Sequence, residues 1–266
     1  MQPPVVRSPV SLTLGTAEIR LADGYVHLTR GYNALVPGPT IRTTPGERLV
    51  VRVKNALGAV ATYAPSSHSM NGLKLFNWTN LHTHGLHVSP RAPADSVFQS
   101  VSPGESLTYE YDIPVYHMGG THWYHPHQHG AGSMQVGGGA HGMLIVDDLP
   151  GSLPPEVAGL PERHLVIWDL RPSSLMHLGQ RQERPCRSAG GSAAACREAF
   201  WTPAAAHRLA AEEKEGLLLV NGQRTPEMGL EADQWHRFRI LFGSAGGGVG
   251  GGGGGMGGGM GGGGGG

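Results

Sequence analysis

Along the chain, short runs of alternating or β-branched residues recur at Val10 to Leu14, Glu18 to Leu21, Tyr25 to Thr29, Leu49 to Lys54, Leu107 to Ile113 and Gly142 to Val146. Successive side chains of a strand point to opposite faces, so such runs read as strands with one buried side. Pro-Gly, Asp-Gly and Asn-Gly signals fall between them, the punctuation of an all-β sandwich or barrel. A proline-rich stretch from Leu149 to Pro161 interrupts the pattern and reads as a linker over 149–161. Beyond it, Arg163 to Leu170, Gly216 to Gly222 and Gln234 to Leu241 resume strand-like character, and the pattern stops at Gly243. The expected organisation is one complete domain over 1–148, a partial second domain over 162–243 and a tail over 244–266. A sandwich that lacks its closing strands is expected to expose a sheet edge and part of its core.

Composition narrows the picture. The chain has 266 residues, 39% of them apolar, which is enough for one large or two ordinary domains with a real core. Twenty basic and twenty acidic side chains cancel, so charge makes no case for nucleic acid or an anionic membrane as partner. No apolar run approaches the roughly eighteen residues of a membrane span. The start, Met1 to Pro9, has no basic region followed by a hydrophobic one, so no secretory signal is visible and the compartment is left open. Glycine needs a correction, since 18 of 44 fall in the last 21 residues. A segment of that composition loses much backbone entropy on ordering and buries almost nothing, so the tail is expected to be disordered. It reads either as a low-complexity extension or as the product of a frameshift or gene-model error.

Candidate chemistry lies in two histidine clusters, Asn80-Leu81-His82-Thr83-His84-Gly85 and Thr121-His122-Trp123-Tyr124-His125-Pro126-His127-Gln128-His129-Gly130. In a strand, His-x-His presents two imidazoles on one face, the geometry of a metal site. Imidazoles without a thiolate suit copper, zinc, iron or nickel, and donor type alone does not choose among them. The two clusters resemble the amino-terminal copper motifs of the multicopper oxidases, the laccase-like family. Flanking segments agree: Pro37 to Ile41, Pro45-Gly46-Glu47 into Leu49 to Asn55, Gly104-Glu105-Ser106 into Tyr109 to Pro114, and Ala140 to Val146. The likeness covers roughly residues 35 to 148 and continues more weakly to about 243.

The resemblance implies a cupredoxin-like Greek-key β-sandwich and copper as cofactor. It also implies an oxidoreductase that couples oxidation of a small reducing substrate to four-electron reduction of dioxygen to water. On the family pattern His82 would belong to the type 2 copper, and His84, His125 and His127 to the type 3 pair. His122 and His129 read as rim residues, and His87, His117 and His141 as solvated or core-edge histidines. Trp123 and Tyr124 read as packing residues. No residue is assigned as a nucleophile or an acid–base catalyst. Relatives are often secreted or periplasmic.

Two parts of the family pattern are missing. The type 1 site needs a Cys thiolate beside histidines, whereas Cys186 and Cys196 have no neighbouring His and position 126 is proline. The family's eight trinuclear ligands include two further His-x-His motifs, yet among His141, His164, His177, His207 and His236 no two are two apart. The two cysteines form either a disulfide, worth ~2 to 3 kcal/mol, or two separate thiols. Three function classes follow. One is the amino-terminal, truncated portion of an oxidase, inactive by itself. The second is a non-catalytic copper-binding or remnant cupredoxin module. The third is a degenerate sandwich kept for interaction.

Overall fold

The computed structural model describes residues 2–20, 26–58, 75–171 and 216–244. Cys186, Cys196 and the glycine-rich tail lie outside the described residues, as do His177 and His207. Twelve strands are described: β1 (Val5–Val6), β2 (Val10–Arg20), β3 (Val26–Tyr32), β4 (Thr40–Thr43), β5 (Arg48–Asn55), β6 (His82–His84), β7 (Ser106–Asp112), β8 (Gly120–His125), β9 (Gly142–Val146), β10 (Glu162–Leu170), β11 (Leu217–Val220) and β12 (Arg237–Ser244). Two short helices, α1 (Gly132–Gly137) and α2 (Pro155–Ala158), complete the elements. Among the described residues no helix is long and apolar enough to cross a membrane.

The strands form three sheets, ordered β3-β2-β5-β7, β1-β4-β9-β8-β6 and β11-β10-β12. The first two face each other as an all-β cupredoxin sandwich. Alternation decides which side chains fill it: Leu12 and Leu14 of β2, Leu49, Val51 and Val53 of β5, and Tyr109 and Tyr111 of β7 meet Ile41 of β4, Tyr124 of β8 and Leu144 and Val146 of β9. Each fully buried Leu or Val there contributes ~1.5–3 kcal/mol relative to exposure.

Strand β2 departs from the expectation of two short runs. It is one eleven-residue strand that changes partner at Leu14, running parallel to β5 over Val10 to Leu14 and antiparallel to β3 over Leu14 to Arg20. Its buried positions change phase at Gly15 and Thr16, from Val10, Leu12 and Leu14 to Ala17 and Ile19, as the strand passes from one partner to the other, while a Cβ at Gly15 would find only ordinary contact with Ala56. The third strand also runs on to Tyr32 rather than stopping at Thr29.

Strand β9 is buried along its whole length because both its faces are covered. Leu144 and Val146 enter the sandwich core, while Met143 and Ile145 pack outward against Val166 of β10 and Leu241 of β12. A strand covered on two sides reads as a continuous apolar run, which is what Gly142-Met143-Leu144-Ile145-Val146 is. The third sheet lies on this outer face, held also by Trp168, Leu170, Leu217 and Leu219 against Ile19, Val36, Trp123 and Val136. Among the described residues its opposite face presents Leu218, Phe238, Ile240 and Phe242, 41 to 67% exposed.

Candidate metal centre

The two His-x-His motifs meet at the edge of the five-stranded sheet. Strand β6 is an edge strand of three residues, paired antiparallel with β8 so that His82 lies opposite His125 and His84 opposite Trp123. The two-residue period therefore places His82, His84, Trp123 and His125 on one face. Ring centroids stand 5.5 Å apart for His82 and His84, 5.2 Å for His82 and His125, and 5.8 Å for His84 and His125. One nitrogen from each of these three rings falls within 4.8 Å of the others. Pro126 follows β8, and His127 beyond it stands 5.3 Å from His82 and 6.1 Å from His125. His127 is exposed, so the cluster opens to solvent on its side.

Orientation of the rings comes from groups that the motifs do not contain. Asp95 Oδ2 lies 2.8 Å from His82 Nδ1, and its Oδ1 accepts the Thr83 amide at 2.8 Å. Beside a carboxylate, Nδ1 carries the proton and Nε2 keeps its lone pair. His125 is set the same way, with Nδ1 2.9 Å from the Pro126 carbonyl. Its Nε2 is buried without a hydrogen-bond partner, a lone pair that a metal ion would satisfy. The buried Asn80 ties the two motifs together: its Oδ1 accepts the His127 amide at 2.6 Å and its Nδ2 donates to the Val97 carbonyl at 2.9 Å. Behind Asn80, Gln135 of α1 donates to the carbonyls of Phe76 and Trp78 and accepts the Thr79 hydroxyl. The Leu81 amide donates to the Tyr109 hydroxyl at 3.0 Å.

Electrostatics favour neutral rings at His84 and His125. Burial, then the neighbouring His82 and His127, lowers the pKa of His84, against a small opposing effect of Asp95. Burial pushes His125 down to about 3; the Pro126 carbonyl opposes this and the other three imidazoles add to it. The lone pairs of His84 and His125 are thus available at neutral pH, and the all-nitrogen donor set fits a late first-row ion such as copper.

The structure brings all four expected ligand residues together, with His127 at the open rim. Trp123 packs as expected, stacked on His125 at 3.9 Å and on His84 at 5.2 Å. Tyr124 is fully buried and donates to the Pro39 carbonyl at 2.7 Å. His129 is exposed, while His117 and His141 are buried, the latter stacked on Trp168 at 3.7 Å. Asp95 and Asn80 were not singled out from sequence. Asn80 stands two residues before His82, but Asp95 is thirteen residues away and reaches the site only through the return of a loop.

Residues 68–151 match the family model described as multicopper oxidase. Laccase-2 of Botryotinia fuckeliana is 31% identical over 129 residues, covering 47% of this chain and 18% of the laccase. Multicopper oxidase MmcO of Mycobacterium tuberculosis is 32% identical over 138 residues, 52% of this chain and 22% of the relative. The matched part thus spans about a fifth of the length of these curated relatives. Among solved structures, the laccase-like multi-copper oxidase CueO of Ochrobactrum sp. superposes with a TM-score of 0.58 at 24% identity, over 92% of this chain and 46% of the other. The multi-copper oxidase of Pseudomonas thermotolerans gives 0.55 at 22% identity, over 91% and 47%. These two show a shared fold, and the sequence relatives carry the rest. Two His-x-His motifs converging on the sheet edge, together with these matches, make residues 68–151 similar to a multicopper oxidase domain of the laccase-like kind.

Proposed function

We propose that this chain is the amino-terminal, copper-binding portion of a multicopper oxidase, supplying half of a trinuclear copper site. In this reading His82 serves the type 2 position and His84, His125 and His127 the type 3 pair. Residues 1–148 form the first cupredoxin domain, 149–161 the linker and 162–243 part of the second. The observation that carries it is the cluster of three imidazole nitrogens within 4.8 Å, with His127 beside it on the open side. An open side suits a site whose remaining ligands come from another cupredoxin domain. When bound, copper supplies the redox chemistry by which the family oxidises substrates with dioxygen. The residues of this chain hold the ligand geometry: Asp95 and the Pro126 carbonyl fix two tautomers, Trp123 shields one flank and Asn80 keeps the motifs in register.

Copper loading of the purified chain, with paramagnetic resonance and visible absorption, tests the proposal. The expected result is bound copper that is lost in the His82→Ala/His125→Ala variant, no thiolate charge-transfer band, and no oxidation of phenols by the chain alone. Sequencing the coding region downstream in all frames should find further His-x-His motifs, one with an adjoining Cys. Copper retention unaffected by the double substitution would overturn the site. A clean stop with no such motifs downstream would favour the alternative, a copper-binding module without turnover.

A further inference from the structure

Three histidines outside the tetrad gather on the other face of β8. His122 alternates with Trp123 along that strand and so points away from the first cluster. His117 lies 5.5 Å from it and 5.1 Å from His87, ring centroid to ring centroid, so His117 bridges the other two; unlike His82, His84 and His125, the three do not yet bring one nitrogen each within 4.8 Å of the others, and the His87 ring must turn inward to close the set. Each ring has a feature suited to ligation. His117 is buried with Nδ1 2.8 Å from the Met118 carbonyl, which places the proton there and leaves Nε2 as an acceptor. That Nε2 accepts the His87 amide at 3.1 Å. His122 Nε2 is buried with no hydrogen-bond partner. The ring of His122 occupies space left by two glycines: a Cβ on Gly85 would come within 2.6 Å of Nδ1, and one on Gly120 within 3.3 Å of Nε2. His87 is exposed, so its ring turns without repacking the core.

We propose that His87, His117 and His122 form a second binding site for a late first-row transition-metal cation, separate from the tetrad. Three neutral imidazoles are a donor set for zinc or copper rather than for magnesium or calcium. For the His122 ring, burial first and then the neighbouring His117 and His87 hold the pKa down at about 4. The cation near His122 from the third sheet is Arg239, whose charge is matched by Asp148 and Glu162. On binding, His117 Nε2 exchanges the His87 amide for the metal, and solvent at the exposed His87 takes up the released N–H. Among the described residues no carboxylate does for these rings what Asp95 does for His82. The Met118 carbonyl does that work for His117.

Zinc(II) alone is the probe, titrated into the full chain in competition with a chromophoric chelator. The expected result is two equivalents for the wild type and one for His87→Ala, with circular dichroism unchanged because His87 is exposed. A His82→Ala/His84→Ala/His125→Ala/His127→Ala variant should retain one equivalent, weakened at least tenfold when His122→Phe is added. A wild-type stoichiometry of one that His87→Ala leaves unchanged would overturn the second site. So would a residual equivalent in the fourfold variant that neither His87→Ala nor His122→Phe weakens. Because the readout in the fourfold variant is independent of the tetrad, failure of one site is distinguishable from failure of the other.

Discussion

At the scale of single residues the site depends on Asp95 as much as on its histidines. Its two oxygens serve two purposes, holding His82 in one tautomer and receiving the Thr83 amide that sets the turn of β6. Asp95→Ala should therefore lower copper affinity about 10- to 100-fold while leaving all four imidazoles in place. Asp95→Asn should be intermediate, since its amide oxygen accepts one of the two N–H groups and its NH2 cannot replace the other acceptor. Equilibrium competition for Cu(II) checks the order, and equal affinities for wild type and Asp95→Ala would count against an orienting role. The histidines were legible because a spacing of two in a strand is a statement about one face. Asp95 was not, because a partner brought by loop closure leaves no periodic trace. His127 shows the limit from the other direction: its parity with His125 is plain in the sequence, yet Pro126 ends the strand between them, and only the Asn80 contact shows how its backbone is held.

At the scale of elements, the third sheet is two-faced, and the two faces should respond in opposite ways to substitution. Inward, Val166 and Trp168 alternate along β10 and are buried against the sandwich; Trp168 also covers Gly243, where a Cβ would come within 2.2 Å of the indole. Trp168→Ala should cost ~3–5 kcal/mol by urea unfolding, the usual loss for a buried large aromatic. Outward, Phe238, Ile240 and Phe242 repeat at every second position of β12 with solvent over them. Changing all three to Thr keeps β-propensity and removes an exposed apolar row, so the midpoint should move by less than ~1 kcal/mol while dye binding and self-association fall. A large loss of stability from the triple variant would show instead that this face is covered. The alternation on β10 and β12 was readable in advance. Which of its two faces turned inward was not, because on β12 the more apolar row, Phe238, Ile240 and Phe242, faces outward while Arg239 and Leu241 face in, a choice that depends on Met143 and Ile145 of a distant strand and on the carboxylates of Asp148 and Glu162. Likewise, the apolar run of β9 marked a buried strand without saying what lay on each side.

For the whole molecule, pH reports how the third sheet is joined to the sandwich. Glu162, at the start of β10, pairs with Arg42 of β4 at 2.6 Å and with Arg239 of β12 at 2.7 Å, while Asp148 pairs with Arg237 and Arg239. Burial alone would raise the Glu162 pKa, but Arg239 and Arg42 outweigh it and bring the carboxyl down to about 2 from 4.5. A depressed carboxyl contributes stability that is complete above its unfolded value and is lost as pH falls through the folded one, here between roughly 4.5 and 2. His141 acts over a different window. Buried against Trp168, it is held down at about 3, so the fold keeps it neutral while the unfolded chain takes up a proton below 6.5. Its acid-induced loss therefore begins near 6.5 and is complete near 3. Glu162→Gln should lower stability at pH 7 by ~1–3 kcal/mol, because the arginines lose a charged acceptor, and the gap to wild type should close as pH falls from 4.5 to 2. His141→Phe, which keeps an aromatic ring against Trp168, should do the reverse, gaining on wild type as pH falls from 6.5 towards 3. Thermal melting of the metal-free chain across pH 2 to 8 separates the two contributions by where each variant's profile diverges from wild type. A Glu162→Gln profile parallel to wild type throughout would mean that the ion pairs across the boundary do not couple to folding, leaving the apolar contacts of Met143, Ile145, Val166 and Leu241 to hold the two parts together.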